Sequence, residues 1–176
     1  MRVFVIGTGR CGTLSFAKAC EHITNYSSGH ETHHKQLGPT RWEYPDRHIE
    51  VDNRLSWGLG RLIANYPCAT YVWLRRNREA VAKSYLRRWD LGGGILPAYG
   101  RGVLRVNEPS LELALDLVDT IESNIRVALP SARGSVFTVA LERIGRDFEI
   151  FWKLIAARGS YEQAMGEFAQ CHNRSK

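Results

Sequence analysis

The sequence lacks several features that would place it in a common class of protein. No apolar run approaches the length of a transmembrane helix, and the first apolar segment begins at residue 3, which leaves no room for a signal peptide before it. The four cysteines are widely scattered and form neither a CxxC pair nor a pattern of metal-ligand spacing. We therefore expect a cytoplasmic protein with no membrane association and no metal site.

The bulk composition is that of an ordinary globular protein, with 44% hydrophobic and 24% charged residues. A length of 176 residues predicts a single domain over residues 1–176. The net charge of +6 fits an anionic ligand, and it also allows nucleic acid as a partner. The placement of the basic residues is more informative than their number, because six of them crowd residues 75–88.

A segment near the N-terminus has the pattern of an anion-binding loop. The apolar residues 3–6 predict a buried strand, GTGRCGT follows at 7–13, and apolar residues three positions apart then predict a helix to Ile23. A strand, a glycine-rich turn and a helix together hold a phosphate against the helix N-terminus. Gly7 and Gly12 stand where a Walker A loop has its glycines, but the lysine that should follow Gly12 is missing. The loop is therefore predicted to bind an anion other than the triphosphate of ATP.

Beyond this segment, the apolar patterns of strands and helices alternate along the chain. Three further strands are predicted, at residues 48–51, 69–74 and 136–141. Helices are predicted between and after them, the first capped by Asn53, at residues 53–65, 79–89, 107–129, 147–157 and 161–169. This alternation predicts an α/β domain with a mainly parallel sheet and flanking helices in three layers.

Three connections are predicted to be irregular. Residues 25–29 read as a turn-rich connection, and residues 30–35 as a polar, solvated loop that is placed to face a ligand crevice. Residues 90–106 are glycine-rich, so we expect no regular element there. The part from Gly92 to Gly102 has the length of a mobile lid, with a disordered connection as an equally favoured alternative.

Two motifs together resemble those of sulfotransferases of the small bacterial or phage type, which use the donor 3′-phosphoadenosine 5′-phosphosulfate (PAPS). Residues 7–13 are similar to the family's 5′-phosphosulfate loop, which has a basic residue inside it and lacks the kinase lysine. The second motif is LRRNREAVAKS at 74–84, where the family has Leu-x-Arg-Asp-Pro-Arg-Asp and a serine eight positions after the first arginine. Arg76 and Ser84 match this spacing. The resemblance spans about residues 3–89.

The sequence also departs from the family pattern. Asn77 replaces the usual aspartate, Arg78 the proline and Ala80 the second aspartate, and Arg10 stands where many members have lysine. The resemblance nevertheless implies a P-loop NTPase-like fold and the transfer of a sulfuryl group to a hydroxyl or amine of a small-molecule or carbohydrate acceptor. It also implies that the protein binds PAPS and its product PAP, 3′-phosphoadenosine 5′-phosphate.

The resemblance implies a role for each motif. Arg76 and Ser84 would bind the 3′-phosphate of the donor. Arg10 would stabilise charge on the transferred group. The other arginines of the segment are interpreted as solvated or as shaping the electrostatic field of the site: Arg75, Arg87 and Arg88. The 5′ end would lie against the backbone of Gly9, Arg10, Cys11, Gly12, Thr13 and Leu14. The aromatic residues that are candidates for lining an acceptor pocket are Trp42, Tyr44, Trp57 and Tyr99.

Sulfuryl transfer also requires a base that removes the acceptor proton. Relatives use a histidine or a glutamate in a loop near the donor, so we favour Glu31, with His30 assisting or exchanging roles with it. Glu50 and Asp52, at the end of the second predicted strand, are the next candidates. No metal is expected in the reaction.

Two other functions stay open at this point. An atypical P-loop kinase or phosphate-binding enzyme is disfavoured by the missing lysine after Gly12 and by the lack of a clear Walker B aspartate. A nucleic-acid-binding protein that uses residues 75–88 is disfavoured by the apolar residues between the arginines. The sequence indicates neither the acceptor nor the oligomeric state.

Overall fold

The computed structural model describes residues 1–90 and 94–170 and shows a five-stranded sheet. The strands are β1 (Val3–Gly7), β2 (Ser27–His30), β3 (His48–Val51), β4 (Thr70–Arg75) and β5 (Val136–Ala140). Their order is β2-β3-β1-β4-β5, and every neighbouring pair is parallel. This arrangement confirms the predicted α/β fold with a parallel sheet.

Seven helices flank or connect the strands within the described residues. They are α1 (Thr13–Cys20), α2 (Leu59–Asn65), α3 (Arg78–Leu86), the short α4 (Ile95–Pro97), α5 (Leu111–Ala128), α6 (Ile144–Leu154) and α7 (Tyr161–Ala169). They pack in two groups, because α5 contacts α2 and α3, whereas α1 contacts α7. Phe16 of α1 joins the second group through edge-to-face contacts with Phe148, Phe151 and Phe168.

The central strand β1 fixes the start of the glycine loop, because it is buried and paired on both sides. Its residues Val3, Phe4, Val5 and Ile6 are all 0% exposed. The strand pairs with β3 on one side and β4 on the other, so both its edges and both its faces are covered. A strand buried in this way is apolar throughout instead of alternating, which is the pattern that made it recognisable in the sequence.

The prediction of a turn-rich connection at residues 25–29 was wrong, and so was the placement of His30 in a loop. Ser27–His30 form β2, an edge strand that pairs in parallel register with His48–Val51. The segment has no β-branched or aromatic residue, so its sequence carries no strand signal of its own. Pairing with β3 outweighs this weak local preference.

The prediction that residues 90–106 contain no regular element was also wrong. Residues 91–93, where part of the predicted lid falls, lie outside the described residues. Ile95–Pro97 form a helical turn that continues into a π-helix at Ala98–Leu104. Leu96 is 0% exposed, and the hydroxyl of Tyr99 donates to Asp116 of α5 at 2.5 Å. These two anchors offset the conformational entropy that the glycines add.

Several smaller boundaries also differ. Asp52 caps the turn after β3, because its Oδ1 accepts from the Arg54 amide at 2.7 Å, so the prediction of Asn53 as the cap was wrong. Residues 53–58 form a 3₁₀ helix before α2 begins.

Trp42 and Tyr44 are core residues at 6% and 4% exposure. Within the described residues, no helix has the length and apolar character needed to cross a membrane.

Candidate functional site

The glycine loop follows β1 and leads directly into α1. Gly9, Arg10 and Gly12 all have positive φ, at +78°, +55° and +92°. A left-handed conformation costs a residue with a Cβ about 1–2 kcal/mol, so the conformation of Arg10 is strained. Residues with positive φ in close succession, followed by a helix N-terminus, form a backbone arrangement that binds anions in many proteins.

Gly9 is a position where the loop has no room for a side chain. A Cβ there would lie 2.5 Å from the hydroxyl oxygen of Tyr85 and 3.0 Å from Nδ2 of Asn53. The same Tyr85 hydroxyl donates a hydrogen bond to the carbonyl of Thr8. The loop is therefore packed between α3 and the segment after β3, and this packing fixes its path.

The second motif contacts the loop at Arg10. The Nε of Arg10 donates to the hydroxyl of Ser84 at 3.0 Å, and Nη1 of Arg76 donates to the backbone carbonyl of Arg10 at 3.2 Å. Ser84 is only 3% exposed, so its side chain is fixed. The structure thus brings together Arg10, Arg76 and Ser84, three of the residues that the sequence predicted to form the site.

The loop lies in a region of concentrated positive charge. Burial lowers the pKa of the Arg10 guanidinium, and repulsion from Arg88, then from Arg76 and Arg87, lowers that pKa further. An arginine still stays protonated at neutral pH after such a shift. Several cations held this close together favour a bound anion, which relieves their mutual repulsion.

The other predicted loop residues differ in whether their side chains reach the cavity. Leu14 lines the cavity described below together with Gly9, Arg10 and Thr13. Cys11 is wholly buried, and burial raises the pKa of its thiol to about 11, so it is a protonated thiol at neutral pH. A Cβ on Gly7 would lie 3.0 Å from the Cys11 sulfur, so this side chain packs against the end of β1. Only the backbone of Cys11 is therefore suited to contact an anion.

A cavity of about 260 Å³ opens beside the loop. One wall is the loop itself with the start of α1, and another part of the wall comes from His30 and Glu31 at the end of β2. The lining also includes Arg54, Arg88 and the apolar residues of α4. The cavity therefore joins the predicted anion loop to both favoured candidates for the base.

Glu31 lies just beyond the end of β2 in a left-handed conformation, with φ of +52°. Its amide donates to the carbonyl of Val51 at 3.1 Å, which ties it to β3. Its carboxylate forms an ion pair with Arg54, another residue of the cavity wall. A carboxylate held at the wall in this way is placed to accept a proton from a molecule in the cavity.

His30 has the second ionisable side chain of this wall. Its Nε2 is buried, and among the described residues it has no hydrogen-bond partner. Burial lowers the pKa of the His30 imidazole, which is therefore neutral at physiological pH. A neutral imidazole with an unpaired ring nitrogen is able to bind or accept a proton from a hydroxyl group.

The two remaining candidates for the base lie behind the wall. Glu50 is 0% exposed, and its carboxylate oxygens accept from the Thr32 amide at 2.8 Å and from Nε2 of His48 at 3.0 Å. Asp52 is 2% exposed and is engaged as the helix cap, and burial raises its pKa to about 6. Neither residue lines the cavity.

Arg54 and Arg88 are cavity residues whose position the sequence did not reveal. Arg88 was interpreted as solvated or as shaping the electrostatic field; it lines the cavity, and its charge also lowers the pKa of Arg10. A signal was present, because the sequence predicts a helix over residues 79–89, on which Arg88 follows Ser84 by four positions and would project near the same side. Arg75, by contrast, forms an ion pair with Glu122 at 2.9 Å.

Comparisons of sequence find no relative: no protein-family model matches the chain, and no curated protein matches it. Comparison of structures does find similar proteins. A mouse sulfotransferase, SULT7A1, whose crystal structure was determined as a complex with PAP, matches with a TM-score of 0.57 and 15% identity over 96% of this chain. The chain has the fold of a sulfotransferase. It spans 61% of the mouse protein's length, and at this identity the match concerns the fold alone.

Proposed function

We propose that this protein is a cytoplasmic, single-domain sulfotransferase that transfers the sulfuryl group of PAPS to a small-molecule or carbohydrate acceptor. One observation carries the proposal. Arg10 of the glycine loop contacts Ser84 and Arg76 of the second motif, and the same Arg10 lines the cavity that contains Glu31 and His30. Groups suited to bind the donor and groups suited to activate the acceptor therefore meet around one residue.

The donor fits this arrangement because it carries an anionic group at each end. The loop backbone and the N-terminus of α1 suit the 5′-phosphosulfate, and Arg76 suits the 3′-phosphate. Ser84 accepts a hydrogen bond from Arg10, and its own hydroxyl proton is left to donate to a phosphate oxygen. The positive charge around Arg10 would compensate the charge of both groups.

The reaction needs little covalent chemistry from the protein. The donor supplies the sulfuryl group, whose bond to the 5′-phosphate oxygen breaks as the bond to the acceptor oxygen or nitrogen forms. Arg10 stabilises negative charge on the oxygens that surround the sulfur atom. Glu31 takes the acceptor proton, and neutral His30 orients the acceptor or shares that proton.

The acceptor would enter past Trp57. This side chain is 45% exposed, and its ring lies 6.2 Å from that of the anchored Tyr99. In a 3₁₀ helix, residues three positions apart share a face, so Trp57 lies on the same side as Arg54 of the cavity wall. An exposed aromatic ring beside a small polar cavity suits an acceptor that has an apolar face and several hydroxyl groups.

A transfer assay tests the function. Radiolabelled sulfur in PAPS is followed into a neutral oligosaccharide, a phenol and a primary amine, each incubated with the protein and separated from the donor. Labelled product in at least one mixture, formed in proportion to the amount of protein, is the expected result. Absence of labelled product in all three, from protein that binds PAP, would contradict the proposed activity.

Replacing Arg76 with alanine is expected to weaken PAP binding about 30- to 100-fold, because one charge-assisted contact to the 3′-phosphate is lost. Affinity for adenosine 5′-phosphosulfate, which has no 3′-phosphate, should change less than about 3-fold. Titration calorimetry measures both. Arg75→Ala is the matched control, since Arg75 is the neighbouring arginine and its side chain pairs with Glu122. An equal loss in both variants, or an equal loss for both nucleotides, would remove the 3′-phosphate assignment.

Replacing Trp57 with alanine is expected to raise the acceptor KM about 10-fold through loss of the aromatic contact. The KM for PAPS and the turnover number should stay within about 2-fold, because Trp57 contributes no group to the donor site. Steady-state rates at varied acceptor concentration give these constants, and Trp57→Phe should recover part of the loss. An unchanged acceptor KM would mean that the acceptor binds elsewhere.

A further inference from the structure

Glu50 is an ionisable residue in a place where a parallel sheet normally has an apolar one. All four residues of β3 are buried, and Glu50 is 0% exposed. Burying a carboxylate is unfavourable unless its oxygens are fully hydrogen-bonded. A buried carboxylate at this position therefore indicates a specific role for its hydrogen bonds.

Both oxygens of Glu50 are hydrogen-bonded to groups around β2. Oε1 accepts from the Thr32 amide at 2.8 Å, and Oε2 accepts from Nε2 of His48 at 3.0 Å. Nδ1 of His48 lies 2.8 Å from the hydroxyl of Ser27, at the start of β2. Although burial opposes ionisation, the hydrogen bonds from His48 and Thr32 hold the pKa of Glu50 below its usual range, so it is a carboxylate at neutral pH.

These contacts lie immediately around Glu31. The amide of Glu31 donates to Val51, and the next amide, that of Thr32, donates to Glu50. Between these two bonds, Glu31 has the left-handed backbone that a residue with a Cβ rarely adopts. Such a conformation persists only where its surroundings fix it, and here two consecutive residues of β3 do so.

Gly29 provides the space that this contact needs. It pairs with Glu50 in the parallel register of β2 and β3. A Cβ on Gly29 would lie 2.8 Å from Oε2 of Glu50 and would also collide with the side chain of Thr32. The carboxylate therefore packs directly over the backbone of β2 as it approaches the turn at Glu31.

We propose that Glu50 is a positioning residue that, through its hydrogen bond to the Thr32 amide, holds Glu31 in the conformation that presents its carboxylate to the cavity. The inference rests on the proposed function, in which Glu31 is the base. Glu50 itself does not touch the acceptor, because it is fully buried behind the cavity wall. A shift of the turn would move the base away from the acceptor proton, and misplacement by about 1 Å costs an enzyme about 100-fold in rate.

The first test does not depend on activity. Hydrogen exchange of the Thr32 amide, measured by NMR, should be about 100-fold faster in Glu50→Ala than in the wild type. Glu50→Gln keeps an oxygen that can accept this bond, so the exchange rate should stay within about 5-fold of the wild type. Amides at the centre of β1 serve as internal controls, and their exchange should be unchanged. Unchanged exchange at Thr32 in Glu50→Ala would overturn the proposal.

The second test asks whether Glu50 acts through Glu31. Glu50→Ala should lower the turnover number about 10- to 100-fold, with the KM for PAPS within about 3-fold, and Glu50→Gln should recover most of the rate. In a Glu31→Gln background, the same Glu50→Ala change should have no further effect, because the group it positions is already gone.

Equal rate losses in the two backgrounds would overturn the positioning role, as would a Glu50→Ala protein that loses PAP affinity as much as turnover. The two proposals fail separately. A wild-type protein that transfers no sulfuryl group contradicts the function, whereas the exchange rate of the Thr32 amide tests the hydrogen bond by itself.

Discussion

Replacing Arg10 with alanine is expected to lower the turnover number for sulfuryl transfer about 100- to 1000-fold at saturating PAPS. Removing one preorganised donor that stabilises charge in a transition state has an effect of this size. The guanidinium is half-buried, it is hydrogen-bonded to Ser84, and it lines the cavity from the glycine loop, whereas Arg54 and Arg88 line it from other segments. Rates under single-turnover conditions separate this effect from product release.

Two further variants separate the charge of Arg10 from its hydrogen-bonding geometry and from its neighbours. Arg10→Lys keeps the charge and loses the hydrogen-bonding fork, so we expect a loss of about 10-fold. Arg87 is exposed, and its charge contributes to the electrostatic potential at Arg10. Because solvent screens such a charge, the Arg87→Ala variant should keep its rate within about 3-fold of the wild type. If Arg10→Ala retained more than a tenth of the wild-type rate, Arg10 would not be the group that stabilises the transferred charge.

Replacing Glu31 with glutamine should lower the rate about 100- to 10,000-fold, the usual contribution of a general base. Glutamine has nearly the same size and keeps an oxygen facing Arg54, but it cannot take a proton. PAP affinity should be unchanged, because Glu31 contributes no group to the proposed donor site. The rate comes from the transfer assay and the affinity from calorimetry.

His30→Gln is the matched comparison for Glu31. Its effect should be smaller, about 10-fold, if His30 orients the acceptor and Glu31 takes the proton. The opposite order of effects would assign the base to His30. Full activity in both variants would place the base outside this wall of the cavity.

The sequence predicted the elements whose local signals agree with their position in the fold. β1 and most of β4 are apolar because each strand pairs with a neighbour on both sides and is largely buried. The glycine loop is recognisable because positive φ at Gly9 and Gly12 favours glycine. The motif with Arg76 and Ser84 has a fixed spacing, since both lie on one strand–helix unit. Each of these features is encoded within a few neighbouring residues.

The elements that the sequence did not predict are stabilised by distant contacts. β2 exists because it pairs with β3, and the helical turn at Ile95–Pro97 exists because Leu96 and Tyr99 are anchored against the core and α5. No local pattern reports such contacts. A loop or a turn was therefore the natural prediction for both segments.

The site was predicted in part for the same reason. The alternation of strands and helices places the loop and Arg76 on one edge of the sheet. The hydrogen bond between Arg10 and Ser84 joins residues 74 positions apart, and the pairing of Glu31 with Arg54 depends on β2 lying beside β3. Both contacts follow from the strand order, which the sequence did not reveal.

The structure also bears on the basic segment at 75–88. Arg75 pairs with Glu122, and Arg78 pairs with Asp119 at 2.5 Å. Acidic side chains of α5 therefore compensate two of the charges that would form a basic stripe for nucleic acid. Arg76 and Arg88 are directed instead to the loop and the cavity.

Binding of a nucleotide through both its 5′ and 3′ phosphates is the basis of the proposed function, and titration calorimetry of the wild-type protein with PAP, adenosine 5′-phosphate and ATP measures it. PAP should bind with micromolar or better affinity, which corresponds to about 8 kcal/mol. Adenosine 5′-phosphate, which differs only by the missing 3′-phosphate, should bind about 30- to 100-fold more weakly, and ATP no better than adenosine 5′-phosphate. Tighter binding of ATP than of PAP, or equal binding of PAP and adenosine 5′-phosphate, would contradict binding through both phosphates.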